Sequence, residues 1–110
     1  MKSVLVWINS APASPNLAGA FQLARQLRAQ GREVSVFLAQ DAVLAGVHVA
    51  DGSPAPVAQA LQAGIATYVL DEDLRLRGYP SASLWAGVQT ADYAHLVGLL
   101  DRHERVLGAL

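Results

Sequence analysis

Residues 4–8, Val4-Leu5-Val6-Trp7-Ile8, are followed by a turn cluster, an amphipathic run and a second apolar segment ending at Leu38, and this stretch decides the fold. An unbroken apolar run suits a central parallel strand covered on both faces better than a half-exposed antiparallel one. The cluster Asn9, Ser10, Pro12, Ser14 and Pro15 then breaks the strand. Leu17, Ala20, Phe21, Ala24 and Leu27 recur at helical spacing, with Gln22, Arg25, Gln26 and Arg28 on the other side. Ser14 is placed to cap this helix, Pro15 suits its first position and Gly31 its exit. Val34, Val36, Phe37 and Leu38 give the second strand. The unit is strand–helix–strand, and a right-handed crossover makes its strands parallel.

The same alternation continues. Asp41 to Val47 reads as a short helix capped by Asp41, and His48 to Pro56 as the longest aperiodic connection, a candidate flap. Val57, Ala60 and Leu61 before Gly64 predict a helix, and Ala66 to Leu70 a third strand. The trio Asp71, Glu72 and Asp73 starts a short helix that Gly78 and Pro80 end. Trp85 to Gln89 is expected as a fourth strand, with Thr90 capping a helix that carries Tyr93, Leu96, Val97 and Leu100, and Val106-Leu107 as a last edge strand. The sum is an α/β chain, a three-layer, doubly wound sandwich with a mostly parallel sheet of about five strands.

With 110 residues, one domain fills the chain. A formal net charge of −1 supplies no field to hold a phosphate backbone or an anionic membrane, so nucleic acid and membrane are not expected partners. The apolar run after Lys2 falls short of an export signal core, about 7–15 residues, and of a membrane span, about 20, so cytoplasmic residence is expected. There is no cysteine, which removes disulfides, thiolate metal sites and thiol catalysis. Charged residues make up 15%, against roughly 25% for an ordinary domain, while 53% are hydrophobic. Part of the surface is therefore expected to be covered by another subunit.

In a parallel sheet, ligands collect outside the C-terminal strand ends. That directs attention to Ser10, Ser14 and Asn16 after the first strand, Asp41 after the second, and Leu70 and Asp71 after the third. The Ser10–Ser14 turn leads into a helix N-terminus whose free N–H groups suit an anion, although without a glycine-rich phosphate motif a plain capped turn is favoured. The acidic trio invites comparison with a phospho-accepting receiver domain, but Asn9-Ser10 stands where further magnesium-binding carboxylates are needed. His48, His95 and His103 form no close ligand pair and are read as solvated or cap-associated. No nucleophile-elbow sequence surrounds any serine. Aromatics such as Trp7, Tyr68, Trp85 and Tyr93 are read as core or subunit contacts, and Arg77 as a cation on the last carbonyls of its helix. No metal and no cofactor are expected.

Read together, Asn9-Ser10-Ala11-Pro12, Phe21 to Leu27, Gly31 before Val34–Leu38, Gln40 to Val47, Leu61 to Gly64, Thr67 to Gly78 (TYVLDEDLRLRG), Gly87-Val88 and Arg105-Val106-Leu107 resemble the DsrE/DsrF-like sulfur-relay proteins, particularly their small YchN-like branch. The resemblance covers nearly the whole chain and rests on the order and spacing of these blocks. It implies a cytoplasmic α/β protein assembling as homotrimers or homohexamers, or with a cysteine-bearing DsrE-like paralogue. It also implies a persulfide-forming cysteine at the end of the third strand, and Leu70 falls at that position when the blocks are aligned on Leu74, Arg77 and Gly78. A hydrocarbon cannot become a persulfide. The expected role is a non-catalytic scaffold or regulatory subunit of a sulfur relay; a small-molecule or anion-binding module comes second, and a hydrolase or lyase third for want of a visible acid–base pair.

Overall fold

The computed structural model describes residues 2–49 and 55–108. Its elements run in the order β1 (Ser3–Ile8), α1 (Pro15–Ala29), β2 (Glu33–Leu38), a 3-10 segment (Gln40–Gly46), α2 (Pro56–Gln62), β3 (Ala66–Leu70), α3 (Asp71–Leu76), a 3-10 turn (Ser81–Ser83), β4 (Gln89–Ala91), α4 (Tyr93–Arg102) and β5 (Arg105–Leu107). They build one five-stranded sheet in the order β4-β3-β2-β1-β5. Every pairing is parallel, and β1 runs beside β2 from Ser3↔Glu33 to Ile8↔Leu38. The middle of the flap expected at His48 to Pro56 lies outside the described residues.

Strand alternation divides the core in two. Val4, Val6, Ile8, Val34, Val36 and Leu38 face Leu17, Ala20, Phe21 and Ala24 of α1 and Val57 and Ala60 of α2. Each large apolar side chain buried there contributes about 1.5–3 kcal/mol relative to exposure. Leu5, Phe37, Tyr68 and Leu70 point the other way, against Leu96 and Leu99 of α4. The layers are unequal: α1, α2 and α3 cover one face, while the ten-residue α4 is the helix on the other.

The entry to α1 follows its sequence. Ser14 is the N-cap, its Oγ accepting the Asn16 N–H at 3.2 Å, and Pro15 opens the first turn. Three expectations need correction. The fourth strand is Gln89–Ala91, not Trp85 to Gln89. Trp85 donates its N–H to the Gly46 carbonyl, and the Val88 N–H returns to the Trp85 carbonyl, so this apolar stretch is a turn docked on the 3-10 segment. Gly87 makes that turn possible with φ +101°, a region closed to side chains with a Cβ. Thr90 therefore lies inside β4, and Asp92 caps α4, its Oδ1 accepting the His95 N–H at 2.7 Å. The packed stripe of α4 is centred on Leu96 and Leu99, with Leu100 half-buried beside them; Tyr93 (55% exposed) and Val97 (60%) fall on its flank. Finally, Asp41 does not cap its segment, which begins one residue earlier with Ala39 at the cap and no side-chain hydrogen bond.

Candidate functional site

The C-terminal ends of β1, β2 and β3 converge where sequence reasoning places the site. At the end of β2, the Ala39 N–H still bonds the Ile8 carbonyl at 3.0 Å, and then Gln40 swings to φ +53°. A non-glycine residue in this left-handed region costs about 1–3 kcal/mol and persists where neighbours impose it. Here the Gln40 N–H donates to Asp73 Oδ2 at 2.6 Å, fixing the turn to α3.

Arg77 makes a second tie between the same two segments. Its Nε and Nη2 donate to Asp41 Oδ1 at 3.1 and 2.9 Å, and its Nη1 donates to the Asp73 carbonyl at 3.0 Å. The helix-end contact expected of Arg77 is present, but the residue also reaches a carboxylate 36 positions away. Asp41 is thus a partner of Arg77, 60% exposed at its side chain. Such an exposed pair is worth about 0.2–1 kcal/mol, which makes it a positional device more than a source of stability.

Leu70 ends β3, is the N-cap residue of α3 and is 3% exposed. Its side chain belongs to the cluster of Leu5, Phe37, Ala39, Tyr68, Ala91, Leu96 and Leu99. At this position the fold places packed hydrocarbon. The following carboxylates occupy the first turn of α3, where they complement its dipole. Asp71 pairs with Arg75 at 2.9 Å and lines a cavity of about 350 Å³ with Thr90, Ala91, Asp92 and His95. Just beyond, the Glu72 carboxylate, then burial, then Asp73 hold the Tyr93 hydroxyl above the ordinary phenol range.

The residues singled out from sequence are not gathered around one opening. Ser14 is committed to its cap and Asn16 stands exposed beside it. Ser10 is half-buried at the start of the turn, Asp41 is held by Arg77, Leu70 is core, and Asp71 faces the β3–β4 cavity. Gln40, Asp92 and His95 also stand at this end of the sheet; the tie of Gln40 to Asp73 crosses elements and has no sequence signal, and Asp92 was passed over for Thr90 as the α4 cap. Among the described residues, no group of three His, Asp or Glu side chains is placed to hold a metal ion, and no helix is long and apolar enough to cross a membrane.

At the opposite end of the strands, Ser35 and His103 meet beneath α4. His103 Nδ1 lies 2.6 Å from the Leu99 carbonyl oxygen and Nε2 3.0 Å from Ser35 Oγ. The reading of His103 as cap-associated fits the first contact, since it is the C-cap residue of α4. The second joins residues 68 positions apart.

Comparison with known proteins bears on this geometry. The crystal structure of the ychN protein from E. coli superposes with a TM-score of 0.85 at 25% identity, covering 98% of this chain and 99% of that one. A protein of unknown function from Methanobacterium thermoautotrophicum gives 0.80 at 16% identity, over 96% and 97% of the two chains. Another from Bacteroides thetaiotaomicron gives 0.75 at 16%, over 97% and 94%. The latter two likenesses show the fold alone. No curated protein matches the sequence. The family described as DsrH like protein matches residues 14–106, which runs from the cap of α1 into β5. The chain therefore belongs to the DsrH-like family of the DsrE/F-like group, as a member without cysteine.

Proposed function

We propose that this chain is an oligomeric scaffold or regulatory subunit related to intracellular sulfur relay, one that does not itself carry sulfur. The observation that carries the reading is chemical. A persulfide needs a thiol, the chain has none, and buried hydrocarbon occupies the strand end that the family resemblance assigns to the sulfur acceptor. The surrounding groups serve architecture: Asp73 holds Gln40, and Arg77 holds Asp41.

The unequal layers support assembly. Tyr93 and Val97 on α4 and Val106 on β5 are exposed, and a cavity of about 320 Å³ lined by Trp7, Asn9, Val106 and Gly108 flanks the β5 edge. Apolar groups grouped on the thinly covered face suit contact with another subunit. An anion-binding module draws less support, because Ser14 Oγ already accepts the Asn16 N–H and the β3–β4 cavity presents Asp71 and Asp92.

Light scattering of the purified chain at micromolar concentration tests assembly, with a trimer or hexamer expected and a clean monomer refuting it. Incubation with labelled sulfane sulfur should leave the unmodified chain unlabelled; acceptance and onward transfer of the label would overturn the reading. Reproducible co-purification of a cysteine-bearing paralogue from native cells distinguishes a mixed assembly from a homomer.

A further inference from the structure

The scaffold reading makes no use of Ser35 and His103. Ser35 is the third residue of β2, on the face toward α4 and near the strands' N-terminal ends, and His103 ends α4; they are 6% and 9% exposed. Their hydrogen bonds set their protons. A carbonyl oxygen only accepts, so the His103 Nδ1 that contacts the Leu99 carbonyl at 2.6 Å carries the hydrogen in the neutral ring. Nε2 is then left with its lone pair, and the Ser35 hydroxyl donates to it across 3.0 Å. A serine hydroxyl donating to an imidazole whose other nitrogen is oriented by a third group is the arrangement that activates a serine nucleophile.

The surroundings hold this pair in place and leave room beside it. Ser3 Oγ accepts the Glu104 N–H at 3.1 Å and lies 3.5 Å from the Arg102 carbonyl, so the residues flanking His103 are tied to β1. Ser35 and His103 both line a cavity of about 410 Å³, with Ser3, Glu33, Ala66, Tyr68 and Arg102. This volume falls within the range of small-molecule sites, about 300–1,000 Å³. Arg102 and Glu33 bring one charge of each sign to the same cavity, and among the described residues Arg102 makes no ion pair, so a cation is available there for a carbonyl oxygen that gains charge.

We propose that Ser35 and His103 form an acyl-transfer site for small carboxylic esters, separate from the strand ends considered above. Ser35 Oγ bonds to the acyl carbon while its proton passes to His103 Nε2, and the carbonyl electron pair moves onto oxygen beside Arg102. Collapse of that intermediate expels the alcohol, which takes the proton from Nε2, and leaves an acyl ester on Ser35. Water then attacks the acyl carbon, gives a proton to Nε2 and releases the carboxylic acid as Oγ regains its hydrogen. The net reaction is ester plus water to acid plus alcohol, with no redox change.

An alkyl fluorophosphonate applied to the intact chain tests the proposal, because it leaves a stable phosphonyl group on an activated serine and releases fluoride. Mass spectrometry should find one adduct per chain, mapped to Ser35 and not to the other serines. Ser35→Ala should abolish labelling and p-nitrophenyl acetate hydrolysis, and His103→Gln should slow labelling about 100-fold, the usual scale of a lost general base. Mapping the adduct on the unmutated chain decides the matter even where a variant folds poorly. An unlabelled chain after prolonged exposure, labelling spread over exposed serines, or a folded His103→Gln protein labelled at the original rate would each overturn the proposal and reduce the pair to a structural hydrogen bond. None of these outcomes bears on the absence of sulfur transfer.

Discussion

Replacing Leu70 with cysteine puts a thiol at the strand end that the family resemblance assigns to the sulfur acceptor, and the structure dictates how that thiol behaves. Leu70 is 3% exposed within the cluster of Leu5, Phe37, Ala39, Tyr68, Ala91, Leu96 and Leu99. Cysteine keeps one heavy atom beyond Cβ and loses two methyl-sized groups, about 0.8 kcal/mol each in transfer, and the residual cavity brings the expected cost to about 2–3 kcal/mol. A domain with the usual stability of about 5–15 kcal/mol stays folded, and urea unfolding should show a lower midpoint at an unchanged slope. The thiol itself should be masked. If local opening of this core position costs about 3 kcal/mol, iodoacetamide modifies it about 100-fold more slowly than the same thiol in the unfolded chain. The assay compares alkylation in buffer with alkylation in guanidinium, with circular dichroism confirming the native state. Modification of the folded variant within a few-fold of the unfolded rate refutes the argument: the strand end would then be an open site, and leucine there a plug on a working pocket.

Other consequences are smaller and independent. Asp92→Ala should lose about 1 kcal/mol by removing the acceptor for the His95 N–H, whereas Thr90→Ala leaves that cap intact; thermal unfolding of the pair separates them. Gly46→Ala should destabilise by about 1–3 kcal/mol, because the new Cβ would meet Val69 Cγ1 at 2.9 Å and Leu84 Cδ2 at 3.3 Å; a chemical-denaturation midpoint equal to the parent's would contradict this. Glu72→Gln should lower the pH at which Tyr93 ionises, since Glu72 is the main cause of its raised pKa. Folding raises this acid's pKa, so its contribution is intact below the ordinary phenol value and lost as pH climbs through the folded one. Ultraviolet titration of phenolate should show the variant's Tyr93 ionising earlier; an unmoved curve would refute the coupling.

The first half of the chain was legible because several signals coincide there. The unbroken run Val4 to Ile8, the helical spacing of Leu17, Phe21 and Ala24, and the Ser14 cap all describe one strand–helix–strand unit, which the parallel register of β1 and β2 realises. The second half misled where apolar content and local conformation part company. Trp85 and Val88 look like strand residues, yet Trp85 serves as a turn, edge-on to His48 at 4.1 Å between ring centroids. Thr90 and Asp92 are both competent caps, and only the length of β4 decides between them. At the candidate site, the positions of the strand ends followed from chain order, but their contacts did not. Nothing in a glutamine announces φ +53°, and no spacing rule pairs Asp41 with Arg77 or Ser35 with His103.

The charges at the end of β3 bear on more than the absence of a thiol. A helix N-terminus ordinarily favours a thiolate, because its free N–H groups and dipole stabilise negative charge. Here Asp71, Glu72 and Asp73 already occupy the first turn of α3, and Asp73 is committed to the Gln40 N–H. A thiolate at position 70 would therefore stand beside three carboxylates while being buried among Phe37, Tyr68 and Leu96, and both effects raise a thiol pKa. Of the basic groups nearby, Arg75 pairs with Asp71 and Arg77 with Asp41, so neither is left to offset that charge. The dipole that would activate a sulfur is instead complemented by carboxylates, and one of them, Asp73, ties the turn after β2 to α3. The local electrostatics and the missing thiol thus agree: this strand end is packed and fixed, which does not suit a group that must ionise, react and be released.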